Sequence, residues 1–212
     1  FSMDLGCYDV SEDVQRETAQ SIDALRQAGA EVNDIDVKWA GELIDLAHGN
    51  QEVLFATFLN DIVTNHGNLV SDYVPQLLET ANSFSADTYS KSFLEAGKVW
   101  QSHLAPLFQN YDAIITPTTT YTDIPATGWQ KDKVSVNGRR YTDTNVTMTA
   151  IWNMYNKCPV LAVPSGVSSS GVPTGIQIIG RPYDDQTVFW IASALEEQRP
   201  WLDCAKRRPP LD

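Results

Sequence analysis

The sequence predicts an α/β fold in which a mixed, mostly parallel sheet is covered by helices on both faces. The chain opens with a strand–helix–strand pattern over residues 1–37, which is typical of a parallel crossover unit. Three later runs, 112–116, 160–163 and 175–179, contain consecutive apolar residues that would lie on both faces of a strand. Strands that are apolar on both sides need cover on both sides, as in a sheet between two layers of helices.

The opening unit begins with FSMDLG, whose alternating apolar and polar residues predict the last half of a strand at 1–6. Ser11 then precedes an amphipathic helix that should end at Gly29. The inward face of this helix is expected to comprise Val14, Thr18, Ile22 and Leu25. The run EVNDIDV at 31–37 predicts a short buried strand, parallel to the first.

Residues 40–108 have helical periodicity, with breaks expected at Gly67–Asn68 and at 82–85. Ser85 or Asp87 is the expected cap of the long helix that follows, which should end before Tyr111. Four aromatic residues recur here at helical spacing, and we expect them to belong to the core and not to a ligand platform: Phe55, Phe58, Phe93 and Trp100.

The second half of the chain predicts strands and two more helices. A buried strand is expected at 111–118, and Asn137–Gly138 between alternating residues predicts a two-residue hairpin. A helix should run from Asp143 to Tyr155. Two apolar strands around a Gly-Val-Pro turn at 171–173 and a closing helix at 184–198 complete one compact unit without repeats or linkers.

Composition disfavours several classes of function. Fifteen Lys and Arg against 27 Asp and Glu give a net charge of −12, which would repel nucleic acid and anionic membrane surfaces. No apolar run approaches the roughly 20 residues of a membrane helix. Cys7, Cys158 and Cys204 form no paired motif, so we expect neither disulfides nor a zinc site, and a cytoplasmic location. The sequon at Asn145 carries little weight, because such tripeptides arise often by chance.

Residue types and spacings alone reveal no self-sufficient catalytic constellation. There is no Gly-x-Ser-x-Gly elbow, and Ser168–Ser170 lie where serine and glycine favour a turn. Glu42 and Asp45 could form an acid–base pair, but such residues more often form the solvated face of a helix. Cys158 beside an apolar strand is more typical of a buried thiol than of a nucleophile. No metal-ligand spacing occurs among the histidines, which are His48, His66 and His103.

Taken together, five segments resemble the C-terminal half of the amidase signature family in order and spacing. They are SMDLGCYDVSEDVQRETAQSIDALRQAGAEV at 2–32, YDAIITPTT at 111–119, CPVLAVPSG at 158–166, GVPTGIQIIGRPYDD at 171–185, and the closing helix. The resemblance implies an amidohydrolase that cleaves carboxamides through a Ser–cis-Ser–Lys triad, without a metal or an organic cofactor. In the family, the triad and its glycine- and serine-rich segment belong to the N-terminal half.

No GGSSGG-like segment occurs in this chain, so the resemblance carries no triad residue onto it. We therefore expect residues 1–212 to form the C-terminal part of a single amidase signature domain, without a catalytic residue of its own. A start at Phe1, inside a strand, fits truncation or proteolysis.

The resemblance also implies which residues form part of the substrate pocket. They are Thr118, Thr119 and Tyr121 after the TPT strand, and Val146, Thr149, Trp152 and Asn153 on the helix before the VPSG strand. Helical spacing would put Val146, Thr149 and Asn153 on one face, although an ordinary structural role is as plausible for each. Trp152 with neutral polar neighbours favours an uncharged aryl or aliphatic amide. Thr147 stands near the position where glutamine-acting relatives carry an acid, which disfavours a glutamine substrate.

Three hypotheses follow from the sequence. The first is part of an amidase, inactive alone, whose partners are a small-molecule amide and either the N-terminal half of the fold or a second copy bound through the uncovered face. The second is a non-catalytic binding or scaffold protein that retains this half of the fold. The third, weaker hypothesis is a self-sufficient hydrolase built on Cys158 or a serine. If the first hypothesis holds, the isolated chain should expose a sheet edge and several hundred Å² or more of apolar surface.

Overall fold

The computed structural model describes residues 1–38, 40–71, 73–124, 134–141 and 146–202, and only the backbone of Glu42, Gln76 and Thr80. Its α-helices are α1 Glu12–Gln27, α2 Ala40–His66, α3 Val74–Ser83, α4 Ala86–Val99, α5 Ala105–Asn110, α6 Ala150–Asn153 and α7 Asp185–Gln198. A 3₁₀ turn covers Gly67–Leu69, and a π-helical turn, Trp100–Leu104, joins α4 to α5. The strands are β1 Ala113–Pro117, β2 Val134–Val136, β3 Arg139–Tyr141, β4 Val160–Val167 and β5 Pro173–Gly180.

The described strands form two antiparallel sheets. One has the order β1–β5–β4, and the other is the β2–β3 hairpin. The expectation of a mostly parallel sheet is therefore wrong for the described residues, although the mixed helix and sheet composition is confirmed. The reason is local: β4 and β5 are joined by the short loop 168–172, and so short a connection allows only antiparallel neighbours.

The predicted strands of the opening unit are not formed. Phe1 donates its amino group to the Asn33 carbonyl and accepts from Ile35 N–H at 2.9 Å, which is the bonding pattern of a parallel pair. That pattern extends over a single residue, because Leu5 and Gly6 turn the chain away with φ of 49° and 72°. Most of 31–37 is exposed, so the expectation of a buried strand there is also wrong.

Helix α1 agrees with its prediction in its bounds and its buried face, although the Ser11 hydroxyl makes no capping hydrogen bond. All four residues of the expected inward face are buried, and the acidic first turn follows Ser11. Gly29 adopts a φ of 97°, which ends the helix in the left-handed conformation that glycine tolerates best.

The helical region 40–110 is also confirmed, with both predicted breaks in place. Ser85 is the cap of α4, because its hydroxyl accepts a hydrogen bond from Thr88 N–H at 3.0 Å. Of the four aromatic residues expected in the core, Trp100 packs against it, 6.0 Å from the Phe108 ring and 5.9 Å from the Tyr155 ring between centroids.

The expectation is wrong for the other three aromatic residues of this region. The exposed fractions are 38% for Phe55, 52% for Phe58 and 50% for Phe93. Leu43 and Ala47, in the first half of α2, are buried, whereas Phe55 and Phe58, further along the helix, lie on its surface. Phe58 follows Ala47 by about three helical turns and therefore lies on the same helical face. Helical spacing shows that residues share a face, and it does not show whether that face is covered.

Helices cover the described three-stranded sheet on both faces, as predicted. Ile176 and Ile178 of β5 pack in a cluster with residues of α1 and α7. Ile179, the next residue, packs on the opposite face in a larger cluster with residues of α2, α4 and α6. This alternation places Gln177, which follows Ile176, on the same face as Ile179.

The predicted hairpin is confirmed, with φ of 50° at Asn137 and 80° at Gly138. The predicted helix from Asp143 to Tyr155 is not: α6 has four residues, and 146–148 run extended beside 118–120. Asp143 and the sequon residue Asn145 lie outside the described residues, as does Cys204. Within the described ranges, no helix is both long and apolar enough to cross a membrane.

Candidate functional site

The structure brings together the two segments that the sequence assigns to a substrate pocket. Thr120 N–H donates to the Val146 carbonyl at 2.8 Å, and Met148 N–H donates to the Thr118 carbonyl at 3.0 Å. Thr119 and Thr147 form the antiparallel bridge between these two bonds. We call 118–121 and 146–149 the two wall segments, since they leave the end of β1 and lead into α6.

The predicted pocket residues differ in exposure. Thr118, Thr119 and Tyr121 are half-buried, while Thr149 and Asn153 are exposed. Val146 is fully buried beside β2, and Trp152 is 2% exposed within the larger core cluster. Val146 therefore does not share a helical face with Thr149 and Asn153, because α6 begins only at Ala150.

Residues that the sequence did not assign to the pocket support the wall segments. The Tyr8 hydroxyl donates to the Thr147 carbonyl at 3.1 Å, and Ser11 N–H donates to the Thr120 carbonyl at 2.8 Å. Gln177 reaches the same region from β5 and donates to the Met148 carbonyl at 2.9 Å. A lone glutamine within the apolar run GIQII was the one sequence signal that could have drawn attention to it.

Burial raises the pKa of the Tyr8 phenol, with smaller contributions from Cys7 and Asp45. The hydroxyl therefore keeps its proton and remains a donor to the Thr147 carbonyl at any ordinary pH. Tyr8 acts here as a support for the backbone and not as an acid.

The hairpin borders the wall segments and is fixed to the loop before α1. Asn137 Nδ2 donates to the Val10 carbonyl at 2.9 Å. The Tyr141 hydroxyl and Arg139 Nη1 both donate to the carboxylate of Asp9, Arg139 at 3.0 Å. These contacts seat β2 and β3 beside Tyr121, which packs on the cluster that includes Val134.

The serines of the 168–170 loop have structural partners. Ser169 donates to Asp13 through its backbone N–H at 3.0 Å and its hydroxyl at 2.6 Å. These bonds, together with Arg16, lower the pKa of Asp13 to about 2. A carboxylate with so low a pKa is a weak base, so it does not activate the hydroxyl for nucleophilic attack.

The other two serines of the loop are bonded in the same manner. Ser168 and Ser170 lie 2.8 Å apart between hydroxyl oxygens, and Ser168 accepts from Val172 N–H at 3.1 Å. The Ser170 hydroxyl also donates to Asp123. The loop is thus a hydrogen-bonded connection between β4 and β5, as the sequence predicts.

The two cysteines that the structure describes, Cys7 and Cys158, do not provide a nucleophile either. Burial raises the pKa of the Cys158 thiol to about 11, so it stays neutral at physiological pH. Burial and, to a smaller extent, Asp4 raise the pKa of Cys7 to about 11. Over the described ranges, no three His, Cys, Asp or Glu side chains are placed to hold a metal ion.

Comparison with known proteins decides the family. A family model described as Amidase matches residues 1–189. The chain belongs to the amidase signature family. An acylamidase of Rhodococcus erythropolis is 24% identical over 205 residues, which cover 96% of this chain and 42% of that protein.

Further relatives of this chain match over shorter stretches. A putative amidase, AmiB2, of Mycobacterium tuberculosis is 29% identical over 129 residues, 61% of this chain and 27% of that protein. A glutamyl-tRNA(Gln) amidotransferase subunit of Methylocella silvestris is 40% identical over 89 residues, 42% of this chain and 17% of that protein.

Solved structures agree on the fold. A bacterial aryl acylamidase of the amidase signature family superposes with a TM-score of 0.77 at 20% identity, over 99% of this chain and 45% of that one. A second amidase gives a TM-score of 0.76 at 18% identity. The chain thus spans less than half the length of these relatives. Membership of the family supports amide hydrolysis as the general class of reaction.

Proposed function

We propose that the complete protein is an amidohydrolase that cleaves carboxamide C–N bonds by acyl transfer. In this proposal the Ser–cis-Ser–Lys triad is carried by an N-terminal half of the fold outside residues 1–212. This chain supplies the sheet scaffold and part of the substrate pocket. The observation that carries the proposal is the bonded pair of wall segments in a chain that matches the family over residues 1–189.

Residues 1–212 alone should be inactive on amides. Acyl transfer requires a nucleophile, a base within hydrogen-bond reach and donors for the oxyanion. The candidate nucleophiles of the described residues lack such an arrangement, because Ser169 is bonded to a weakly basic carboxylate and Cys158 is a neutral buried thiol.

The proposed substrate is an uncharged aryl or aliphatic amide. Thr149 and Asn153 offer exposed neutral polar groups, and the half-buried Tyr121 offers apolar ring surface. The similarity to an acylamidase over 96% of the chain, against 42–60% for four amidotransferase subunits, supports this class over glutamine. The Trp152 side chain is buried in the core, so in this proposal it supports α6 beneath Thr149 and Asn153 and does not contact the substrate.

The proposed partner is the N-terminal half of the same fold. Apolar side chains remain exposed on α2 and α4, including Leu54, Phe58 and Leu94. Exposed apolar area of this kind is typical of a surface that another part of a protein covers. We place the complete protein in the cytoplasm, since Cys7 and Cys158 are both free thiols.

The proposal is tested by assaying the complete gene product and residues 1–212 against acyl anilides, aliphatic amides and glutamine. We expect the gene product to hydrolyse uncharged amides and the chain alone to be inactive. Ser169→Ala and Cys158→Ala in the gene product serve as controls, and kcat/KM should stay within about twofold of wild type. Hydrolysis by the chain alone that either substitution abolishes would refute the proposal, and an inactive gene product would favour the scaffold hypothesis.

A further inference from the structure

Gln177 occupies an unusual position for a polar side chain. It lies in the middle of β5, the central strand of its sheet, and is 1% exposed. Its side-chain nitrogen lies 3.0 Å from Thr116 Oγ1, 3.0 Å from the Pro117 carbonyl oxygen and 2.9 Å from the Met148 carbonyl oxygen. A buried amide group with these three acceptors is fixed in one orientation.

These bonds connect the two wall segments at their base. Thr116 and Pro117 end β1 immediately before the first wall segment, and Met148 belongs to the second. Thr118 is held by the same strand, since its N–H and its hydroxyl donate to the Gly175 carbonyl at 3.0 and 3.1 Å. A Cβ at Gly175 would lie 3.0 Å from Thr118 Oγ1, so this close approach depends on a glycine.

An amide group is chemically suited to this position. It donates two hydrogen bonds without a charge, whereas an ionised carboxylate only accepts. Methionine has a similar length but would leave the carbonyls of Pro117 and Met148 without this donor. Lysine would offer donors but would also bury a positive charge.

We propose that Gln177 is a positioning residue for the amide substrate, because its side chain anchors the base of both wall segments to β5. This inference rests on the proposed function above. Gln177 does not touch the substrate. It acts through Met148 and Pro117, whose positions fix Thr149 and Thr118 next to them.

The first test is backbone amide hydrogen exchange, which needs no enzymatic activity. In Gln177→Met, the amides of Thr120 and Met148, which bond the wall segments to each other, should exchange at least about tenfold faster. The amides of α1 should be unchanged. Gln177→Glu gives a second variant for the same measurement, since it retains the shape of the side chain.

Ile178→Val is the matched control for this exchange experiment. Ile178 is equally buried on β5, but it faces the cluster formed with α1 and α7. This variant should not accelerate the Thr120 and Met148 amides selectively. Unchanged exchange in both Gln177 variants, or a uniform acceleration across the molecule, would overturn the inference.

The second test measures kinetics of the complete gene product. Gln177→Met should raise KM about three- to tenfold with a smaller change in kcat, because substrate contacts shift while the reacting groups lie elsewhere. In Gln177→Glu, protonation restores one donor, so KM should fall towards the wild-type value between about pH 8 and about pH 5. Gln177→Met, which has no titratable group at this position, should not show this pH dependence.

The outcomes separate this inference from the proposed function. An active gene product whose KM is unchanged in Gln177→Met overturns the role of Gln177 alone. A wild-type gene product that hydrolyses no amide overturns the proposed function, and the role of Gln177 with it.

Discussion

Arg199 links α7 to α1 through four hydrogen bonds. Its Nη1 donates to the Glu17 carbonyl at 3.2 Å and the Ser21 hydroxyl at 3.1 Å. Its Nη2 donates to the Glu17 carboxylate at 3.0 Å and to Gln20 at 3.1 Å. Glu17 is 8% exposed and lies against Gly166 of β4, so one ion pair joins two helices and a strand.

Gly166→Ala should destabilise the chain, because a Cβ there would lie 1.8 Å from Glu17 Oε2. Glu17 would have to move away from Arg199, at a cost of about 1–3 kcal/mol in the free energy of unfolding. Urea denaturation measures this change.

Gly97→Ala is the control, since no atom lies within 4 Å of a Cβ added there, within α4. It should stabilise by about 0.5–1 kcal/mol, because alanine favours a helix more than glycine does. Equal effects of the two substitutions would contradict the role of Glu17.

Asp13 should make stability depend on acid pH. Hydrogen bonds from Ser169 and Arg16 lower its pKa to about 2, whereas the pKa of an aspartate in an unfolded chain is about 3.9. The ionised Asp13 carboxylate stabilises the fold at any pH above its pKa in the unfolded state. This stabilisation is lost as pH falls from about 4 to about 2. The Tm of the wild-type protein should therefore fall further between about pH 4 and about pH 2 than the Tm of Asp13→Asn. Thermal melts at several pH values measure both decreases. Parallel losses in both proteins would refute this origin.

At the scale of elements, the hairpin depends on Asn137 and Gly138. Gly138→Val should unfold the hairpin locally, because its φ of 80° is strained for a β-branched residue. The global free energy of unfolding should change little, because the added side chain would meet no atom within 4 Å. Limited proteolysis and the chemical shifts of 134–141 measure the local effect.

Ser135→Thr is the matched control for the hairpin. Ser135 is exposed in β2 and pairs with Arg140, and threonine favours a strand. It should leave the proteolysis pattern unchanged. Unaltered proteolysis of Gly138→Val would contradict the dependence on positive φ.

Elements defined by local signals could be predicted from the sequence. Helix α1, Ser85 as a cap and the Asn137–Gly138 turn each depend on neighbouring residues. The parallel opening unit could not be predicted correctly, because Leu5 and Gly6 turn the chain after one residue of pairing.

The candidate site was predictable only in part, because the contacts that support it join residues far apart in the sequence. Resemblance located the wall segments, but their supports come from distant positions. Gln177 and Met148 are 29 residues apart in sequence, and Tyr8 and Thr147 are 139 apart. The resemblance assigns Val146 and Trp152 to the pocket, yet tertiary packing buries both.

At the scale of the whole molecule, exposed apolar side chains are unevenly distributed. Among the described residues, eight of the fourteen large exposed ones fall between 54 and 94. They are Leu54, Phe55, Phe58, Ile62, Leu69, Tyr73, Phe93 and Leu94. Asn50 and Ser92 join α2 to α4 through a buried hydrogen bond of 3.0 Å, so these two helices pack against each other.

Residues 1–212 alone should therefore self-associate. Burial of this apolar area offers a free-energy gain of about 25 cal/mol per Å², and the unpaired strand edges add further contacts. Size-exclusion chromatography with light scattering should detect a dimer or larger species at micromolar concentration. Phe58→Ser combined with Leu94→Ser should shift the population to monomer, while Phe189→Ser on α7, whose side chain is 61% exposed, should not. A monomeric wild-type chain under these conditions would contradict the proposal that the exposed apolar residues between 54 and 94 are covered in the complete protein.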